Sequence, residues 1–122
     1  MTGSVFNSTR QEIYEYMKKE TANLDLIHFD NFMTSTICNK LNISRNLTSQ
    51  YLNEGFKEGY LIKINTRPVY YFERKTVMAK YELEQIDSEF YDLEEFISCI
   101  RKKSNEKLNF EKGIGYNLSL KQ

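Results

Sequence analysis

Residues 34–72, TSTICNKLNISRNLTSQYLNEGFKEGYLIKINTRPVYYF, constrain the fold more than any other part of the chain. Thr34 is placed to cap a short helix whose apolar positions are Ile37, Cys38 and Leu41. Asn42 follows, and Asn enters the left-handed backbone region more readily than most non-glycine residues, so a sharp bend is expected there. Ile43 plugs the bend and Ser44 opens a second helix with Leu47, Tyr51, Leu52 and Phe56 inward. Gly55 permits close approach of another backbone, and Gly59 ends the helix. Tyr60 to Asn65 then alternates as a strand, Thr66-Arg67-Pro68 turns, and Val69 to Phe72 returns. A lone hairpin is marginal in water, so this one must pack on the helices. Helix, turn, helix and ribbon in that order predict a winged helix-turn-helix over residues 9–75, mainly α with a small β-hairpin.

The flanks are less sharply patterned. Residues 1–8 are expected to be a flexible leader, after which Ser8 or Thr9 caps a helix through Lys19 with Ile13, Tyr14 and Met17 inward. Residues 20–32 read as a loop with at most one helical turn, anchored by Leu24, Ile27, Phe29 and Phe32. Residues 76–109 are expected to form a helical linker. Its first part, 76–91, has a blurred helical stripe. Its second starts at Asp92 and runs to about 103 with Leu93, Phe96, Ile97 and Ile100 on one side, acidic in its first turn and basic in its last. That apolar stripe needs cover, which makes the segment a candidate dimerisation element. The stretch from 105 to 122 has no regular period.

The chain has 122 residues, 40% of them apolar, with nine Tyr and eight Phe, enough for one modest core. No apolar run reaches the ~20 residues that cross a bilayer, and no secretory leader is visible at the N-terminus. Cys38 and Cys99 therefore read as free thiols in a reducing cytoplasm, with no membrane partner expected. His28 is the single imidazole, so neither a multi-histidine metal site nor a Ser/His/Asp constellation can be assembled. Gly113-Ile114-Gly115 lacks the Lys-Ser/Thr ending of a phosphate-binding loop. No catalytic residue, metal or cofactor is expected in these residues. Formal charge is zero, but residues 1–75 hold ten Lys and Arg against eight Asp and Glu. Such a thin surplus predicts weak nucleic-acid affinity for one copy, so a homodimer or higher oligomer is expected.

With the apolar positions of the second helix inward, the side chains left outside are Arg45, Asn46, Thr48, Ser49, Gln50 and Asn53. A helix fits the major groove of DNA, where Arg bridges guanine O6 and N7 and Asn or Gln pairs with adenine N6 and N7. The helix start adds amides for phosphate. Lys63 and Arg67, with Arg74 and Lys75 beyond them, are candidates to carry the wing onto the backbone or into the minor groove, and Arg67 at the hairpin tip is the foremost. The expected function is sequence-specific binding of double-stranded DNA. The competing reading is a winged module that docks a protein through its aromatic ribbon and this second helix and binds no DNA. His28 and Cys38 read as structural.

Residues 43–72, with Ser44-Arg45, Tyr51-Leu52-Asn53, Lys63 and Arg67-Pro68 at these separations, resemble the N-terminal winged helix of LevR-like transcriptional activators. The tail from Phe110 to Gly115, with Ser119-Leu120-Lys121, is similar to the opening of the AAA+ module that follows in that family. The resemblance implies a regulator of sugar-uptake operons. In the full-length protein it also implies ATP-driven work on sigma-54 RNA polymerase and control by phosphotransferase-system proteins. On this expectation residues 110–122 are the truncated start of the ATPase.

Overall fold

Phe72 is fully buried and touches aromatic rings on three sides: Phe29 at 6.0 Å, Phe32 at 4.7 Å and Phe96 at 4.5 Å between centroids. Those partners come from a loop before position 33 and a helix beyond position 92, so one side chain gathers distant parts of the chain. A computed structural model describes the backbone of residues 2–111 and the side chains of residues 8–104. The chain is mainly helical with a small three-stranded sheet.

Helix α1 spans Thr2–Ala22. The leader expected over residues 1–8 is thus helical from Thr2, without a break at Ser8 or Thr9. Once a helix is nucleated, each further residue adds one hydrogen bond, and no proline interrupts this one. Ile13, Met17 and Thr21 lie four apart and are fully buried. The Thr21 hydroxyl accepts the Glu73 amide at 2.9 Å, and Lys80 donates to the Ala22 carbonyl at 2.7 Å, a cation at the helix's negative end. A single 3-10 turn, Asp30–Phe32, punctuates the loop that follows.

Helix α2 covers Thr34–Leu41, and its N-cap is Met33, not Thr34. Met33 is held extended by a β-bridge to Tyr70, and with Met33 as the cap the helix starts one residue earlier than expected. Thr34 is left buried with its hydroxyl unpartnered. Asn42 takes φ 56° and ψ 46°, and the amides of Asn42 and Ile43 return to the carbonyls of Asn39 and Cys38. Helix α3, Arg45–Lys57, starts at Ser44, whose hydroxyl accepts the Leu47 amide at 3.2 Å. It ends in the same double hydrogen bond: Gly59 at φ 87°, with Gly59 bonded to Phe56 and Tyr60 to Gly55.

Strands β1 (Leu61–Ile64) and β2 (Tyr70–Glu73) form the hairpin, with Ile62 opposite Phe72. The stretch 76–91 departs from the helix expected of it. Helix α4, Arg74–Lys80, stops early, Glu82 turns left-handed at φ 54°, and the chain extends into β3, Glu89–Phe90. This strand lies parallel to β1, on the side away from β2. The Lys63 and Asn65 amides donate to Ser88 and Phe90 at 2.8 Å, so main-chain bonding to β1 takes the place of a further helical turn. Leu83, Ile86 and Phe90 are buried in this non-helical path, which is why their spacing gives a blurred helical stripe.

Helix α5, Leu93–Glu111, opens with a reciprocal cap: Asp92 accepts the Glu95 amide and Glu95 accepts the Tyr91 amide, both at 2.8 Å. Phe96 stacks on Phe72 at an interplanar angle of 16° and meets Phe90 edge-on, and Ile100 is buried beside them. The heart of the stripe that was expected to need an outside partner is covered by the chain's own sheet. Most of the expected AAA+ opening, from residue 112 on, lies outside the described residues. Among the described residues no helix is long and apolar enough to cross a membrane.

Two substitutions test this packing. Phe96→Ala removes the ring that closes the core and is expected to cost ~3–5 kcal/mol in urea unfolding. A loss near zero would mean α5 is an appendage. At Gly55 a Cβ would sit 2.8 Å from Leu61 Cδ1 and 3.3 Å from the Tyr14 hydroxyl. Gly55→Ala is therefore expected to destabilise by ~1–3 kcal/mol through overpacking, despite alanine's better helix propensity.

Candidate nucleic-acid interface

The inner face of α3 decides what it can present outside. Tyr51 and Leu52 are buried, Leu47 and Phe56 are half-buried, and Gly55 lies against Leu61. The stripe is therefore centred on positions 48, 51, 52 and 55, the i, i+3, i+4, i+7 set of a helix. Thr48 falls inside it. Its side chain is 0% exposed and its hydroxyl donates to the Ser44 carbonyl at 2.9 Å, so Thr48 is not part of the outward set to which the sequence assigned it. The other early positions stand clear: Arg45, Asn46, Ser49 and Gln50 are all exposed. The first turn of an α-helix leaves its amides without intrahelical partners; Ser44 takes that of Leu47, and the Arg45 and Asn46 amides accompany these side chains at the exposed start of α3.

Asn53 and Lys63 are brought together at the junction of α3 and β1. Lys63 Nζ donates to Asn53 Oδ1 at 3.4 Å and lies 5.3 Å from the Phe56 ring centre and 6.0 Å from that of Tyr71. Both residues are half-buried, so they border the polar row and do not lie within it. The Lys63 ammonium itself therefore lies against the two rings, a cation–π arrangement. Burial raises the Tyr71 hydroxyl to about 12, so it stays neutral beside that ammonium.

Arg67 is exposed at the hairpin tip, where the Thr66 hydroxyl donates to the Pro68 carbonyl at 2.7 Å. A cleft of about 430 Å³, lined by Lys63, Asn65, Thr66, Arg67, Val69 and Tyr71, runs along this part of the hairpin. At one end of it Asn65 donates to the Glu89 carboxylate on β3. Of the two further cations, Arg74 is committed elsewhere: its guanidinium donates twice to the Ile86 carbonyl, at 3.1 and 3.2 Å, and holds the path into β3. Lys75 lines a second cavity, about 440 Å³, between α1 and α4 beside Tyr14 and Tyr60. None of Arg45, Asn46, Ser49, Gln50, Asn53 or Arg67 lines that cavity. His28 is exposed in the loop after α1, with its Nδ1 2.7 Å from Asp25.

Two residues absent from the sequence reading border the exposed row. Arg10 of α1 forms an ion pair with Glu54 of α3 at 2.9 Å, and its guanidinium lies 5.2 Å from the Tyr51 ring centre. The i, i+4 spacing of Gln50 and Glu54 was visible as a potential pair. The contact with Arg10, 44 positions away, had no local signal.

Comparison with known proteins gives no match to any family model, curated protein or solved structure.

Thr48→Val is expected to cost ~1 kcal/mol in unfolding by deleting a buried hydrogen bond. The amide NMR shifts of Arg45, Ser49 and Gln50 should stay in place apart from local ring and bond effects. A large displacement of those signals would mean that Thr48 shapes the exposed row directly.

Proposed function

We propose that this chain is a winged helix-turn-helix that binds double-stranded DNA, with α3 in the major groove. The observation that carries the reading is the row Arg45, Asn46, Ser49 and Gln50, exposed along the start of α3 while its opposite face is buried. These are the side-chain types that pair with base edges, and Arg45 is the natural partner for guanine. Arg67 at the hairpin tip reaches the neighbouring phosphate backbone, and Lys63 with Asn53 borders the same groove. Thr48 has no contact role in this mechanism.

The distribution of exposed apolar side chains favours DNA over a protein dock. Ile27, Tyr60 and Tyr91 are the large hydrophobic residues left exposed among those described, and none lies on the outer face of α3 or at the hairpin tip. A docking face would concentrate such residues there. The balanced charge means that one copy supplies few phosphate contacts, so a homodimer reading two half-sites is the expected binding unit. The finer assignment, a regulator of sugar-uptake genes related to the LevR-like activators, is supported by the sequence resemblance of residues 43–72 and of the tail from Phe110.

Gel-shift titrations against a selected duplex, over a range of salt, test the proposal. Arg45→Ala is expected to weaken specific binding by ~1–3 kcal/mol if it reads a guanine. Arg67→Ala should weaken binding to every sequence and reduce the slope of log K against log salt by about 1. Affinity that ignores salt and both substitutions would favour the protein dock.

A further inference from the structure

An exposed glutamine is an ambiguous reader, because a half-turn of its amide exchanges the carbonyl and the nitrogen. Gln50 does not have that freedom. Its Nε2 donates to Glu54 Oε2 at 3.3 Å, and a carboxylate can only accept, so the nitrogen end must face Glu54. Glu54 is itself held, because its other oxygen receives Arg10 Nη2 at 2.9 Å. Arg10 rests on the face of Tyr51, which is buried in the core. A chain of contacts thus runs from α1 through a fixed aromatic ring and a carboxylate to one amide on the outer face of α3.

What Gln50 can still offer is its carbonyl and one N–H, in a set order. Adenine presents a donor at N6 and an acceptor at N7 in the major groove, which complements that pair. Guanine presents two acceptors, O6 and N7, and would set its O6 against the glutamine carbonyl. Were the amide free to turn, it could place its two N–H groups to suit either purine better. We propose, resting on the DNA-binding reading above, that Arg10 and Glu54 are positioning residues that fix Gln50 as a reader of adenine and reject guanine at one base pair.

Selection from a randomised duplex pool, with the full chain and its variants, tests this. Gln50→Ala locates the base pair that Gln50 reads. Wild type is expected to prefer adenine over guanine there by about tenfold. Glu54→Gln keeps the shape but supplies an amide that can donate or accept, so the preference should vanish at that position while the others hold. Arg10→Met should erode the same position alone. An unchanged preference in Glu54→Gln, a uniform loss at all positions, or guanine favoured by wild type would overturn the positioning role and leave DNA binding standing. Failure of wild type to select any sequence would instead overturn DNA binding, and this inference with it.

Discussion

Stacking of Phe96 on Phe72 joins two stretches of chain that would otherwise have little reason to stay together. Phe72 belongs to the return strand of the hairpin, and Phe96 to the first turns of α5. Offset-stacked and edge-on aromatic pairs contribute about 0.5–1.5 kcal/mol beyond the area they bury. Here the pair is continued by Phe32 and Phe29 on one side and Phe90 on the other. The hairpin therefore sits on a packed aromatic column. The placement of the hairpin is thus set by contacts made deep inside.

The turns around α3 complete that placement. Asn42 and Gly59, both left-handed, bracket α3 at its two ends, and Gly55 lets its backbone press on Leu61. These are backbone devices, set by residue type at single positions, so they are written locally in the sequence. The bend at Asn42, the cap at Ser44 and the end at Gly59 were all legible for that reason. So were Ile13, Met17, Ile37 and Leu52, whose helical spacing marks them as core.

What the sequence hid depends on contacts between distant segments. Strand β3 is only Glu89–Phe90, too short to show any period, and it exists because β1 offers it a free edge. The α5 stripe was legible as apolar, but its cover was not, since nothing local pairs Phe96 with Phe72. Thr48 was misplaced because a polar residue within an apolar stripe reads as exposed until its hydroxyl is seen to bond the Ser44 carbonyl. Arg10 and Glu54 carry the same lesson at the candidate interface: one half of the pair lies on a different helix.

Strand β3 has a further consequence for a small chain so rich in aromatic side chains. Pairing with β3 turns β1 into a central strand, while the Met33 bridge shields part of the outer rim of β2. Unpaired strand rims act as templates on which other chains can add, and cross-β aggregates grow that way. Among the described residues, the rims left belong to a two-residue strand and to one interrupted by a bridge. Tyr70, Tyr71 and Phe72 can therefore occupy one strand at high concentration with little backbone on offer for fibrils to recruit.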